Sequence, residues 1–170
     1  EVIVTGAPGE ATEIARERAA QFDVTFSCGG DGTLNEVVTG VAEQDVTVGV
    51  IPAGTANDVA RAIGISLDPP QAIATLVPGH TIEIDLLEID GGERYSAVAV
   101  GVGIDAATVQ RAQEAGEEII GRAAYVMAAA TELGDDILTR MRLDVDGENW
   151  EGEALLVQVV NCPNHGGGFE

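Results

Sequence analysis

The sequence predicts an α/β fold: a parallel sheet covered by helices over residues 1–79, then a β-rich domain over residues 80–170. Three observations carry this. Short β-branched runs alternate with helical-period segments through the first half. One strand-to-helix junction is the glycine-rich run Gly29-Gly30-Asp31-Gly32-Thr33. Near His80 the texture changes to hairpin patterns, which a purely parallel sheet does not use.

Taken in order, Val2-Ile3-Val4 reads as a strand end and Ala11 to Ala20 as an amphipathic helix. Val24 to Cys28 is β-branched and aromatic and reads as a buried strand; Thr33 to Ala42 has apolar residues at helical spacing. Thr47 to Ile51 is a strand, and Thr55 to Ile63 a helix. Pro70 to Val77 starts with proline and stops at Pro78-Gly79. In the second half, Thr81 to Ile89, the Asp90-Gly91-Gly92 turn and Tyr95 to Val102 read as one hairpin. Asp105 to Ala115 and Ala123 to Leu133 read as helices. Leu138 to Val145, Asp146-Gly147-Glu148 and Glu153 to Asn161 read as a second hairpin. No internal repeat or low-complexity segment interrupts this plan.

With 45% hydrophobic residues the chain can bury a core, so disorder is excluded. Its charge is unusual: 29 acidic residues against 8 basic ones, a formal net charge of -21, and every basic residue is arginine. Self-repulsion on this scale opposes compaction, and molar salt screens it to a Debye length of about 3 Å. The acids are spread along the chain (Glu13, Asp45, Asp85, Glu117, Asp135, Glu153) and do not form an interaction tail. Adaptation to a very salty cytoplasm is therefore the expectation. Nucleic acid is excluded as a partner, because phosphate neutralisation needs Lys and Arg. The absence of lysine excludes a Walker-type loop and a lysine Schiff base. Cys28 and Cys162 lack metal-ligand spacing and read as buried free thiols of a reducing compartment. The longest apolar stretch, Ala123 to Ala130, is too short to span a bilayer, and no leader precedes the first strand. A soluble, cytoplasmic protein is expected.

A strand that turns through glycines into a helix brings bare backbone N–H groups to a helix N-terminus, an arrangement that favours a phosphate. Glycine permits both positive φ and close approach there. Asp31 is the one carboxylate in that turn, and beside a polyphosphate it calls for a metal, a metal-bound water or a proton. The bland alternative is a tight turn capped by Asp31 and Thr33. A second strand, turn and helix start follow in Ile51-Pro52-Ala53-Gly54-Thr55-Ala56-Asn57-Asp58. Loops at the carboxyl ends of neighbouring parallel strands converge on one crevice, so residues 29–33 and 54–58 should face each other. Asn57 offers a donor and an acceptor to a base or ribose. Asp58 would hold a metal-bound water or position Asn57; simple helix capping is the plain alternative for both.

The run G-G-D-G-T-L-N-E-V-V followed by I-P-A-G-T-A-N-D-V-A-R resembles the diacylglycerol kinase catalytic domain family, which includes bacterial lipid kinases and, more distantly, sphingosine and ceramide kinases. The likeness continues through Ile84-Asp85-Leu86, Val100 to Ala106, Asn161 and Gly166-Gly167-Gly168-Phe169. The first motif alone is shared with NAD kinases; the pair is far more specific. The resemblance implies a parallel-sheet nucleotide-binding domain followed by a β-rich sandwich domain, with the active site in a cleft between them. It implies transfer of the γ-phosphoryl group of ATP, with Mg²⁺, to a lipid hydroxyl. Asp31 is then the catalytic candidate, and Thr5, Gly29, Gly30, Gly32, Thr33, Gly54, Thr55 and Asn57 the nucleotide-binding set. Asp31, Asp58 and Glu10, the last standing where relatives often have Asp, would reach the metal through water. Relatives start with a further strand and an asparagine-containing loop, and they continue past the glycine run to a carboxylate that activates the lipid hydroxyl. Both domains are thus expected to be truncated, the general base to lie beyond Glu170, and this chain alone to turn over poorly. The implied partners are nucleotide and lipid, met at a membrane surface by transient peripheral contact; truncated sheet edges offer a route to a homodimer.

His80 and His165 have no partner at ligand spacing and read as loop residues; Trp150 and Tyr125-Val126-Met127 read as packing, and Arg61 as a partner for carboxylates. Two rivals stand beside the lipid kinase: a NAD kinase, and a nucleotide-binding module without catalysis.

Overall fold

A computed structural model describes residues 1–77, 79–103 and 138–163. They form helix α1 (Glu10–Arg18), a 3-10 turn (Ala19–Gln21), strand β1 (Val24–Gly29), α2 (Asp31–Val41), β2 (Thr47–Pro52), α3 (Asp58–Ala62) and α4 (Pro69–Leu76). Six strands follow: β3 (Leu87–Ile89), β4 (Arg94–Ser96), β5 (Ala99–Gly103), β6 (Thr139–Val145), β7 (Glu148–Ala154) and β8 (Leu156–Val160). The chain divides into two compact units, Glu1–Ala99 with the segment from Val160, and the stretch from Val100 to Val159.

In the first unit β1 and β2 pair in parallel, from Val24 opposite Thr47 to Gly29 opposite Pro52. Because side chains alternate across a strand, this register puts Ser27 and Val50 on one face and Phe26, Cys28, Gly49 and Ile51 on the other. The first face is covered by α2, whose Leu34 and Val38 join Val50, Val59, Ala60, Ala97, Val98 and Cys162 in one buried cluster. The next stripe of α2, Val37 and Val41, packs with Ala11, Ala15 and Ala19 in a second cluster. Gly40 lets α1 approach: a Cβ there would stand 2.6 Å from the Thr12 carbonyl oxygen. Two glycines inside α2 cost roughly 1 kcal/mol each in helix propensity. Burying Leu34, Val37, Val38 and Val41 stabilises by roughly 1.5–3 kcal/mol each, so tertiary packing is what makes this segment helical. On the other face Phe26 lies over Gly49, and with Ile51 and Ile73, Leu76 and Val77 around α4 it lines a shallow apolar recess.

In the second unit β6 and β7 form an antiparallel hairpin from Thr139 opposite Ala154 to Val145 opposite Glu148. Its two-residue turn, Asp146-Gly147, has φ of 53° and 86°, the left-handed pair that matches strand twist. β5 pairs with β8.

Several sequence expectations change. Val2-Ile3-Val4 is not a strand; Val2 and Val4 are 90% and 87% exposed, and among the described residues no strand pairs with them. β1 is half-exposed: strand alternation turns small Ser27 toward α2 and leaves Phe26 on the opposite face, 52% exposed. Cys28 consequently lies exposed on the α4 face, whereas Cys162 is buried as expected. The first hairpin is short: only β3 and β4 pair, Leu87 opposite Ser96, and residues 81–86 carry no element. In the second hairpin the returning strand is Glu148–Ala154, not Glu153 to Asn161, since a two-residue turn requires pairing to resume at once. The helix expectations at 105–115 and 123–133, Tyr125-Val126-Met127, His165 and the glycine run at 166–168 lie outside the described residues. Trp150 is 45% exposed, with its ring over Gly152, a packing role.

Candidate active site

The first loop ends β1 and opens α2. Gly30, the residue before the helix, is extended (φ −89°, ψ −174°) and supplies no side-chain cap; its carbonyl accepts the Leu34 N–H at 3.1 Å. The N–H groups of Asp31, Gly32 and Thr33 have no intrahelical partner and, among the described residues, no side-chain cap; they carry the helix's partial positive charge. Thr33 turns back over Gly29, where a Cβ would stand 2.6 Å from its Oγ1. Among the described residues nothing stands beside Gly32. None of Gly29, Gly30, Gly32 or Gly54 has positive φ, so close approach, not left-handed backbone, is what these glycines supply.

That approach is to the second loop. The Ala53 N–H donates to the Gly29 carbonyl at 2.8 Å, extending the β1–β2 ladder one step into both loops. Gly54 then lies directly on Gly30: a Cβ at Gly54 would be 2.4 Å from Gly30 Cα and 3.1 Å from its nitrogen. Residues 29–33 and 54–58 thus converge as the parallel topology requires. Asn57 is buried and left-handed (φ 52°, ψ 47°). Its Oδ1 accepts the Gly54 N–H at 2.9 Å, and its Nδ2 donates to the Gly54 carbonyl at 2.7 Å. The amide expected to read a base or ribose is committed to its own loop. Thr55 at the tip is exposed.

Asp31 spans the two loops. Its Oδ1 accepts the Val59 N–H at 3.4 Å, at the start of α3, so the N-terminal ends of α2 and α3 meet at one half-exposed carboxylate. Asp58 is buried, 1% exposed. A third segment joins them: Cys162, just after β8, is buried and donates from Sγ to the Ala97 carbonyl at 3.3 Å. Burial first, then the negative charges of Asp58 and Asp31, push its thiol above the usual range and keep it protonated. Ala97 is a knot in the backbone: Asn35 Oδ1 accepts its N–H at 3.0 Å, while Asn161 and Cys162 donate to its carbonyl.

Glu10 opens α1, and Thr5 lies in the loop before it. Glu10 Oε2 accepts the N–H groups of Gly6 (2.6 Å) and Ala7 (3.3 Å), folding the exposed loop before α1 onto its own carboxylate; Thr5 is exposed at the entry to that loop. Glu36 of α2 accepts the N–H groups of Gly9 (2.9 Å) and Ala11 (3.2 Å). Arg61 donates to the Ala56 carbonyl at 3.0 Å instead of a carboxylate. Among the described residues no group of three or more His, Cys, Asp or Glu is placed to hold a metal, so Glu10 does not join Asp31 and Asp58 in a ligand cage. A Mg²⁺ ion needs none, since it is usually held by one or two carboxylates plus waters and substrate phosphates. The hard oxygens of Asp31 and Asp58 fit that donor set. Sequence reasoning missed Glu36 and Cys162. Gly9 at the head of α1 has no side chain to cap with, a sign that the cap is supplied from elsewhere; nothing local marks Cys162.

The model of the diacylglycerol kinase catalytic domain matches residues 1–89, more than half of the chain. The chain belongs to the diacylglycerol kinase catalytic domain family. A second model, the YegS C-terminal NAD kinase beta sandwich-like domain, matches residues 98–170. Together they account for the α/β unit with its parallel sheet and for the β-rich part that follows. Within this family, the diacylglycerol kinase of Bacillus subtilis (strain 168) is 36% identical over 170 residues, covering 98% of this chain and 55% of its own length. A Staphylococcus saprophyticus diacylglycerol kinase is 33% identical over 168 residues, covering 95% and 53%. A crystal structure of a Bacillus anthracis (strain Sterne) diacylglycerol kinase superposes with a TM-score of 0.77 at 26% identity, covering 99% of this chain and 55% of that one. The chain spans about half the length of the curated relatives it matches. Among the described residues no helix is long and apolar enough to cross a membrane.

Proposed function

We propose that this chain supplies the nucleotide site of an ATP-dependent lipid kinase, which transfers the γ-phosphoryl group to the hydroxyl of a diacylglycerol-like glycerolipid. The observation that carries the reading is the convergence of two strand-end loops, Gly30 on Gly54, at a helix N-terminus that no side chain among the described residues caps, with Asp31 in its first turn. Phosphoryl transfer is mostly positioning and charge stabilisation. The Asp31, Gly32 and Thr33 N–H groups take phosphate oxygens; Gly29, Gly30 and Gly54 keep side chains out of their way. Thr55 and Thr5 are hydroxyls at exposed loop positions, available to ribose or base. Asp31, with Oδ1 anchored on the Val59 N–H, orients the γ-phosphate end. Asp31 and Asp58 would hold Mg²⁺, which would supply positive charge against the phosphates. Glu10 serves the loop before α1 and reaches the nucleotide only through water. The lipid is met by peripheral contact at a membrane surface, and the net charge of -21 suits a protein working in molar salt, where that surface's own charge is screened.

The test uses the full-length gene product in molar KCl with Mg²⁺ and γ-labelled ATP, offered a total lipid extract and NAD together. Label is expected in the organic phase and is lost, by about 100-fold or more, in Asp31→Ala. Label confined to phosphorylated NAD in the aqueous phase overturns the lipid reading in favour of the family that shares the glycine turn. Nucleotide binding with no label in either phase leaves a binding module without catalysis.

A further inference from the structure

We infer that Asn57 is a positioning residue for the phosphate loop and not a contact for the base; the inference rests on the kinase reading above. A side-chain amide that both accepts from the N–H and donates to the carbonyl of one residue imitates a neighbouring β-strand. Asn57 does this to Gly54, at 2.9 and 2.7 Å. It fixes both peptide planes around Gly54, the residue whose backbone lies on Gly30. Gly30 in turn immediately precedes α2 and its open N–H groups. The chain of contact runs from the Asn57 amide through Gly54 and Gly30 to the groups that take phosphate.

Two features show why asparagine stands there. The backbone at 57 is left-handed, which Asn and Asp tolerate and branched residues do not. The side chain must also present one donor and one acceptor side by side, which only an amide does. Aspartate keeps the backbone and the acceptor, but it sets a carboxylate oxygen against the Gly54 carbonyl. Glycine keeps the backbone and loses the latch entirely. Asn57 is 7% exposed, which leaves it little surface for a base.

A latch and a base contact differ in what they discriminate. A base contact strengthens ATP and is indifferent to a ligand that has no base. A latch sets the phosphate loop and acts on any triphosphate. The experiment is calorimetric titration of Mg·ATP and of Mg·tripolyphosphate into the full-length protein, its Asn57→Asp variant and its Asn57→Gly variant, with melting temperatures recorded for each. Both variants are expected to weaken both ligands alike, by about tenfold, which is about 1.4 kcal/mol. Weakening of ATP alone, with tripolyphosphate unchanged, overturns the latch and restores a base contact. A lowered melting temperature with both affinities unchanged overturns it as well, leaving a structural role only. Should Asn57→Gly fold poorly, Asn57→Asp carries the test, since it keeps size and backbone. Failure of the wild-type protein to bind either ligand overturns the kinase reading and the latch together, whereas unchanged variants beside a binding wild type overturn the latch alone.

Discussion

Two helices of the first unit begin beside glycine-rich loops, and their N-termini are treated in opposite ways. At α1 Glu36 takes the N–H groups of Gly9 and Ala11 at the helix end, and Glu10 folds the preceding loop by taking those of Gly6 and Ala7. At α2 no side chain among the described residues accepts from the first-turn N–H groups, and Gly30, Gly32 and Gly54 add no side chains there. Both ends carry the same partial positive charge. Among the described residues, a carboxylate from another helix closes the first and none closes the second. The lesson is that a glycine-rich turn before a helix does not by itself make a phosphate site; what matters is whether the chain spends carboxylates on it. At α2 the first-turn carboxylate, Asp31, reaches across to the Val59 N–H of α3 instead of closing its own helix end.

The largest expected effect comes from closing the α2 side. Gly54→Ala puts a Cβ 2.4 Å from Gly30 Cα, backbone against methyl, where nothing flexible can yield. The loops must part. We expect a loss of stability of about 1–3 kcal/mol, as for overpacking in a core, together with a weakened triphosphate site. Denaturant titration with and without Mg·ATP measures both. A variant with wild-type stability and affinity would show that the loop contact is not needed.

Next comes opening the α1 side. Glu36→Gln keeps an acceptor for one of the two N–H groups, presents an NH2 to the other and removes the charge from the helix end. The expected cost is about 1 kcal/mol of stability, with a smaller effect on the Michaelis constant for ATP than Gly54→Ala has, because the Gly9 and Ala11 N–H groups that Glu36 holds take no phosphate. A large shift in the Michaelis constant with unchanged stability would mean that these N–H groups serve the nucleotide after all.

How much of this was legible beforehand follows from how local each signal is. β1, α2 and β2 are readable because strand, glycine turn and helix follow one another within a few residues, and each pattern has its own period. The convergence of the two loops follows from parallel topology alone. Details that depend on distant residues were not readable. Asn57 looks like a free amide in the sequence; only the fold of its loop turns it onto Gly54. Phe26 reads as core, yet strand alternation turns Ser27 toward α2 and leaves Phe26 on the other face. In the second hairpin the apolar run Leu155 to Val160 drew the strand away from Glu148–Ala154, which is almost wholly polar. The left-handed pair Asp146-Gly147 demanded pairing at Glu148 regardless of hydrophobicity.

The smallest expected effect concerns the floor of the α2 site, where Cys162 lies with Asp31 and Asp58. The folded protein holds the thiol proton above the usual value of 9.0, through burial and then the two carboxylates. Below that value thiol is protonated in both folded and unfolded chains, so this contribution to stability is fully present. As pH rises past it, the unfolded chain loses its proton first, and the stabilisation is lost progressively up to the raised folded value. Cys162→Ala removes the titrating group and should flatten the alkaline decline, at the separate cost of a small cavity. The comparison is of slopes, from denaturant midpoints between about pH 7 and about pH 10 with a chelator present, so that constant packing losses cancel. Asp31→Asn removes one of the two charges and should steepen nothing, leaving a decline between those of the wild type and Cys162→Ala. Identical slopes in all three proteins would mean that the carboxylates of the α2 site do not reach Cys162, and that the open helix end stands apart from the segment after β8.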